Sequence, residues 1–163
     1  MIVSFDLDET LFVNPEKVPT EDNLSFPLNK IYKDRLRKGT SELLKWINNN
    51  NIELWIYTTS FRSERYIKSI FRHYGIKIDN IINGKRHEKE IQKNNTERLP
   101  SKYPAKYHID LHIDDEISVY QNGISYGFRV YLLKENDTLW TENIKNEILH
   151  IKKITDLQIR VNR

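Results

Sequence analysis

Two carboxylates follow the first apolar run of the chain. Residues 2–5 read IVSF, and the run ends at Asp6 and Asp8. A carboxylate at the end of a buried strand is costly in free energy unless a cation or hydrogen bonds compensate its charge. Two carboxylates spaced two residues apart at such a place indicate cation binding or proton transfer.

Two later apolar runs, 52–57 and 109–113, also end in polar groups. Three hydroxyls follow the first run and two carboxylates follow the second, at Thr58, Thr59, Ser60, Asp114 and Asp115. The carboxyl ends of parallel strands converge on one crevice in a doubly wound sheet, so these groups are expected beside Asp6 and Asp8. Hydroxyls near the start of a helix at Ser63 suit an anion.

A lysine is expected to join this cluster. Lys102 and Lys106 both lie in the loop before the run 109–113. We favour Lys102, because more chain separates it from Asp114 and it can reach back into the crevice. Lys106 is close to the start of the strand and is expected to point away from the catalytic end.

The predicted cluster contains hard oxygen ligands only. Three or four carboxylates cannot all stay ionised at neutral pH without a cation, and oxygen ligands without histidine or cysteine select Mg²⁺ over zinc. Carboxylates, hydroxyls and an ammonium group together are the parts that phosphoryl transfer requires, since its catalysis rests on positioning and charge neutralisation.

The composition limits the class of protein. A chain of 163 residues with 38% apolar and 30% charged residues is typical of one globular domain. It has no cysteine, which excludes disulfides, thiolate catalysis and cysteine-based zinc sites. The net charge of +3 permits an anionic ligand and does not indicate nucleic acid. No apolar run reaches the ~20 residues of a membrane span, and the start of the chain lacks the pattern of a secretory signal, so we expect a cytoplasmic protein without a membrane partner. An oligomer is possible.

The elements that must position these groups alternate along the chain. Stretches with helical periodicity lie between most of the short apolar runs. This alternation predicts an α/β, Rossmann-like, doubly wound three-layer fold with a mainly parallel five-stranded sheet. The predicted strands are 2–5, 52–57, 78–82, 109–113 and 128–133, and the predicted helices are 40–48, 63–74 and 141–154.

Two stretches depart from this alternation. Residues 14–38 contain three prolines and few periodic apolar residues, which indicates a flap or insertion at about 12–38 within a single catalytic domain, 1–163. Residues 86–106 are highly charged and are predicted to be loop, with a short helical turn at 88–93. Loops this long are often functional, although a plain surface connection is an equal alternative.

The motifs resemble those of the haloacid dehalogenase-like (HAD) superfamily. Its first motif, Asp-x-Asp-x-[Thr/Val], is matched by residues 6–10, and its second, a Thr or Ser that ends an apolar strand, by Thr58. The third is a lysine upstream of the fourth strand. The fourth, an apolar strand that ends in an acidic pair, is matched by residues 111–115. The resemblance covers about residues 1–133.

This resemblance implies a role for each matched residue. Asp6 would be the nucleophile that forms an aspartyl-phosphate. Asp8 would protonate the leaving group and then activate water, and its backbone carbonyl would help to hold Mg²⁺. The remaining implied roles are phosphoryl binding and metal ligation: Thr58 or Thr59 and Lys102 for the phosphoryl group, Asp114 and Asp115 for Mg²⁺.

The intervals between the motifs are too short for the cap domain that many relatives carry. The chain therefore resembles the capless type, whose open crevice accepts a phosphorylated small molecule or macromolecule. The predicted function is a Mg²⁺-dependent phosphatase that hydrolyses a phosphomonoester. The alternatives are a catalytically weak phosphate- or phosphoprotein-binding module, or another phosphotransferase of the same superfamily.

Three residues near the motifs have less specific interpretations. His112 is expected to be a hydrogen-bonded strand residue rather than a metal ligand. Arg62 and Arg65 follow the hydroxyl cluster and can meet substrate, but a solvated helix face is the favoured interpretation.

Overall fold

Five parallel strands form the centre of the molecule. The computed structural model describes residues 1–93 and 99–161. The strands are β1 (Ile2–Phe5), β2 (Glu53–Tyr57), β3 (Asn80–Ile82), β4 (Leu111–Asp114) and β5 (Val130–Leu132). They pair in the order β3-β2-β1-β4-β5, and every pairing is parallel. The prediction of a mainly parallel five-stranded sheet is confirmed, and each observed strand overlaps its predicted run.

The direction in which successive strands are added to the sheet reverses at β1. The chain runs outward from β1 to β3 and then crosses back to β4, which pairs with the other side of β1. Right-handed crossovers place helices on both faces of such a sheet, and the crevice outside the carboxyl ends lies at the reversal, between β1 and β4. Phe5 is in register with Ile113, and the Asp6 amide donates a 2.9 Å hydrogen bond to the Ile113 carbonyl. The first and fourth motifs are therefore side by side.

Three predicted helices flank the sheet. They are α2 (Thr40–Asn49), α3 (Glu64–His73) and α6 (Trp140–Val161), each with a row of buried apolar residues. At the start of α3, the Ser63 hydroxyl accepts a 3.2 Å hydrogen bond from the Tyr66 amide, as expected of an N-cap. Within the described residues, no helix combines the length and apolar character that a membrane crossing needs.

A further helix, α5 (Ile117–Tyr126), was not predicted. Only Val119 and Gly123 in it are buried, so its inward face is narrow. Ile117 and Ile124 are exposed, which hides the period of 3.6 residues in the sequence. Gly123 permits close packing of the helix, because a Cβ there would lie 2.7 Å from the Phe128 carbonyl oxygen.

The predicted loop 86–106 contains more regular structure than expected. The short helix α4 (Gly84–His87) leads into a single π-helical turn (Glu88–Gln92), and a 3₁₀ turn follows at Pro104–Tyr107. The predicted helical turn at 88–93 is therefore present. The part of the predicted loop at 94–98 lies outside the described residues.

The stretch 12–38 has an anchored base and an outer part. At the base, Phe12 pairs with Leu36, and the buried Arg37 side chain donates 3.3 Å hydrogen bonds to the carbonyls of Lys134 and Glu135. The outer part includes the short helix α1 (Leu28–Ile31). The segment packs along α3. The Phe12 ring stacks on Phe71, and the Tyr32 ring contacts those of Tyr66 and His73. Hydrogen bonds join Tyr32 to Ser69 and Asp34 to Tyr66.

Candidate active site

Three carboxylates meet where the two central strands end. Asp6 follows β1, Asp114 ends β4 and Asp115 comes next in the chain, and one oxygen of each lies within 4.8 Å of the others. Asp6 and Asp114 are buried and Asp115 is half-buried. Thr10 donates a 2.9 Å hydrogen bond to Asp115 Oδ1. The parallel register of β1 and β4 is what brings these groups together, since residues more than a hundred positions apart come to the same level of the sheet.

Lys102 reaches this group from the loop before the 3₁₀ turn. Its Nζ lies 2.9 Å from Asp6 Oδ1 and 2.6 Å from Asp114 Oδ2, and the residue is 1% exposed. Lys106, within the 3₁₀ turn itself, is exposed. The structure thus brings Lys102, and not Lys106, to the carboxylates.

The electrostatics of the cluster leave an excess of negative charge. Burial, together with the nearby Asp114, raises the pKa of Asp6 to about 7, although the charge of Lys102 opposes this shift. Burial also raises the pKa of Asp115. One ammonium group does not neutralise three carboxylates, so the cluster either takes up a proton or binds a cation. Three hard oxygen donors this close together can hold a divalent cation.

A buried histidine holds Asp114 from behind. His112 Nε2 lies 2.9 Å from Asp114 Oδ2, and Nδ1 lies 2.8 Å from the Ser4 hydroxyl. Burial lowers the pKa of His112, so the ring is neutral at pH 7. A neutral ring donates from Nε2 to the carboxylate and accepts the Ser4 proton at Nδ1. Burial alone would raise the pKa of Asp114, but the hydrogen bond from His112 and the charge of Lys102 lower it below its ordinary value.

His112 is a hydrogen-bonded strand residue, as expected, but its partners Ser4 and Asp114 were not predicted from the sequence, although a signal was present. Ser4 and His112 are polar residues inside two apolar strands, and they are direct partners in the β1–β4 register. A polar pair at one register position of two central strands indicates a buried hydrogen bond, because unpaired polar groups are rare there.

Asp8 lies apart from the other carboxylates. Its side chain is 51% exposed, and Arg62 Nη1 lies 2.9 Å from both of its oxygens. The same guanidinium donates to Ser60 Oγ at 2.8 Å and to Asp34 Oδ1 at 3.0 Å. The favoured interpretation of Arg62 as a solvated helix residue is wrong, because Arg62 precedes the Ser63 cap of α3 and its side chain points back to Asp8. Arg65, within α3, is exposed.

The hydroxyl loop after β2 is fixed by backbone contacts. Thr58 is buried, its amide donates to the Ile82 carbonyl, and its hydroxyl accepts a 3.1 Å hydrogen bond from the Ser60 amide. Thr59 is exposed and Ser60 is half-buried. Gly84 lets α4 approach this loop, because a Cβ there would overlap the Thr59 carbonyl oxygen. The loop therefore presents Thr58 and Thr59 in a defined conformation.

Comparisons with known proteins establish the fold. No family model matches the chain, and no curated protein matches it by sequence. Among solved structures, the chain is similar to the HAD domain of the effector protein Lem4 from Legionella pneumophila, determined as an inactive mutant. The two share 18% identity and a TM-score of 0.54, and 97% of each chain is covered. The chain has the fold of this HAD domain.

Two further solved structures are similar to the chain, one a hydrolase and one a phosphatase. One is a HAD-superfamily hydrolase of subfamily IA from Geobacter sulfurreducens PCA, with 12% identity, a TM-score of 0.49, and coverage of 80% of this chain and 88% of that one. The other is D,D-heptose 1,7-bisphosphate phosphatase from B. bronchiseptica, complexed with magnesium and phosphate. Its identity is 13% and its TM-score 0.47, with coverage of 80% and 79%.

Proposed function

We propose that this protein is a HAD-like phosphatase that hydrolyses a phosphomonoester with Mg²⁺ through an aspartyl-phosphate. The observation that carries the proposal is the buried contact of one ammonium group with two carboxylates: Lys102 Nζ lies 2.9 Å from Asp6 and 2.6 Å from Asp114. A purely structural role would not require one buried lysine between two carboxylates, with a third carboxylate beside them, at the crevice of the sheet, since burying charges without function costs stability.

Asp6 is the nucleophile in this proposal. A carboxylate oxygen of Asp6 attacks phosphorus, a new P–O bond forms, and the bond from phosphorus to the leaving-group oxygen breaks. Asp8 gives its proton to that oxygen. A water molecule then attacks the aspartyl-phosphate and loses a proton to Asp8, and the bond between phosphorus and Asp6 breaks. Both aspartates return to their starting states, and the products are an alcohol and inorganic phosphate.

The groups that would hold Mg²⁺ are the carboxylates of Asp6, Asp114 and Asp115 and the backbone carbonyl of Asp8. When bound, the ion neutralises the negative charge of the phosphoryl oxygens. Lys102 contributes a fixed positive charge beside Asp6, before and after transfer. His112 keeps Asp114 in a single orientation, which is how partners behind a ligand support a metal site. The Asp8 side chain, which contacts Arg62, lies outside the group of three carboxylates and is available for proton transfer.

The phosphoryl group would be bound by the loop after β2. Thr58 offers a hydroxyl, Thr59 is exposed, and the α3 amino terminus follows. Hydroxyls and amide groups of this kind bind anions. Together with Lys102, they account for a substrate whose recognised part is a phosphate dianion, on a small molecule or a macromolecule.

The test is hydrolysis of 4-nitrophenyl phosphate by the purified protein. We expect release of 4-nitrophenol with Mg²⁺, loss of activity with EDTA and recovery on adding Mg²⁺ back. Full activity in EDTA would contradict the metal-dependent mechanism. Binding of phosphate without turnover of any phosphomonoester would favour a binding module instead.

A further inference from the structure

A second ion-pair cluster lies at the mouth of the crevice. Arg62 bridges Asp8 and Asp34, at 2.9 Å and 3.0 Å, and the Tyr66 hydroxyl donates a 2.8 Å hydrogen bond to Asp34. Asp34 belongs to the stretch 12–38, and Tyr66 lies in α3. The cluster therefore links the flap, the loop after β2 and the first motif in one chain of contacts. We call it the Arg62 cluster.

The guanidinium of Arg62 is held from several directions. Its Nη1 also donates to Ser60 Oγ at 2.8 Å, and its Cζ lies 5.4 Å from the centre of the Phe12 ring. Its main chain is fixed as well, because the Asn83 side chain donates a 3.0 Å hydrogen bond to the Arg62 carbonyl. The side chain is 29% exposed. An arginine fixed in this way loses little conformational entropy when it pairs with a carboxylate.

A surface ion pair by itself contributes little to stability, so this arrangement is poorly explained as a means of holding the fold. It is explained by the position of Asp8. A carboxyl that acts as an acid and then as a base must stay aimed at one point, and a misplacement of about 1 Å can cost about 100-fold in rate. Asp8 is 51% exposed, and Arg62 lies 2.9 Å from both of its oxygens.

We propose that Arg62 is a positioning residue for Asp8, and that Asp34 of the flap orients Arg62. This inference rests on the proposed phosphatase function. As Asp8 gives its proton to the leaving-group oxygen, a negative charge develops on its carboxylate, and the fixed guanidinium stabilises that charge. The same carboxylate then accepts the proton of the attacking water. In this scheme Asp34 of the flap fixes the position of Asp8 through Arg62.

The inference predicts a dependence on the leaving group. A weakly basic phenolate leaves without a proton, whereas a strongly basic one needs the proton of Asp8. The value of kcat/KM covers the steps up to transfer of the phosphoryl group to Asp6, so it reports this requirement without the later hydrolysis. A residue that only stabilises the fold would change both substrates alike.

The experiment compares kcat/KM for 4-nitrophenyl phosphate and for phenyl phosphate, whose phenolate is more basic. For Arg62→Met we expect about a tenfold or larger loss with phenyl phosphate and less than about a threefold loss with 4-nitrophenyl phosphate, within the range that general acid catalysis spans. Arg62→Lys should recover part of the loss, and Asp34→Asn should show the same pattern more weakly. Arg72→Met, an exposed arginine at the end of α3, is the matched control and should leave both values unchanged.

A double-mutant cycle makes the test specific for Asp8. In an Asp8→Asn background, adding Arg62→Met should change kcat/KM for phenyl phosphate by less than about twofold, since the group it positions is gone. Equal losses with both substrates, or an undiminished effect of Arg62→Met in Asp8→Asn, would overturn the inference.

If Arg62→Met does not fold, Arg62→Lys and Asp34→Asn decide the question in the same assay. A wild-type protein that hydrolyses neither ester would overturn the proposed function itself, whereas an active wild type with an unaffected Arg62→Met would overturn this inference alone.

Discussion

The crevice at the carboxyl ends of the strands contains two clusters of ion pairs in different surroundings. In each, one cation bridges two carboxylates: Lys102 between Asp6 and Asp114, and Arg62 between Asp8 and Asp34. The side chains of the first cluster are at most 7% exposed, while those of the second are 20% to 51% exposed.

Burial decides what each cluster contributes. Charges removed from water carry a large desolvation cost, so removing one partner of a buried set leaves an uncompensated charge. Removing the partner of a charge that remains partly in water costs little free energy of unfolding. The Lys102 cluster should therefore affect both stability and chemistry, and the Arg62 cluster chemistry alone. Variants of the two clusters and of the buried histidines test this difference.

Asp6→Asn should abolish turnover of 4-nitrophenyl phosphate, because the amide is nearly the same shape but is a poor nucleophile. The circular dichroism spectrum should stay that of the wild type. Asp34→Asn makes the matching change in the Arg62 cluster and should retain most of the activity toward this ester. Wild-type rates in Asp6→Asn would rule out covalent catalysis at this residue.

Lys102→Met should lower the free energy of unfolding by about 3–5 kcal/mol, since it leaves Asp6 and Asp114 buried without their cation. Arg62→Met should lower it by less than about 1 kcal/mol. Urea denaturation in EDTA at pH 7 measures both. Lys106→Met, which changes an exposed lysine four residues away, is the control and should change stability by less than about 0.5 kcal/mol. Similar losses in Lys102→Met and Arg62→Met would show that burial does not separate the two clusters.

His112→Leu should weaken Mg²⁺ binding by about tenfold or more, because Asp114 loses the partner that orients it. The Mg²⁺ concentration that gives half-maximal activity is one measurement, and calorimetric titration of the protein with Mg²⁺ is a second that does not depend on turnover. Ser4→Ala, which removes only the hydrogen bond behind the ring, should show a smaller effect in the same direction. Unchanged Mg²⁺ affinity in His112→Leu would mean that the Lys102 contact orients Asp114 without help.

The smallest expected effect is at His87, which is buried beside Tyr57 in a pair without formal charge. The Tyr57 hydroxyl and His87 Nδ1 lie 2.6 Å apart, and burial lowers the pKa of His87 below its ordinary 6.5. As pH falls below 6.5, the unfolded chain binds a proton at this histidine before the folded protein does, so stability falls with pH. His87→Gln should reduce that fall, measured by urea denaturation of the variant and the wild type on both sides of this pH. An identical pH dependence in the two proteins would contradict the assignment.

Local sequence patterns were sufficient to predict the five strands and the acidic ends of two of them. A short apolar run bounded by polar residues is a local signal, and parallel strands bring their carboxyl ends together whatever the details of packing. This is why Asp6, Asp114 and Asp115 could be assigned to one crevice from their positions in the chain. The hydroxyls after β2 follow from the same rule. Helix α5 was missed because its buried face is only two residues wide, so packing and not periodicity defines it.

The side chains that complete the site depend instead on how distant elements pack. The choice between Lys102 and Lys106 depends on how the chain turns before β4. The Ser4–His112 pair depends on the exact alignment of two strands, and the contacts of Arg62 depend on where the flap meets α3. These partners are 12 to 108 positions apart in the chain. Local patterns carry no information about such distances, because the energy of these contacts exists only once the intervening elements have packed.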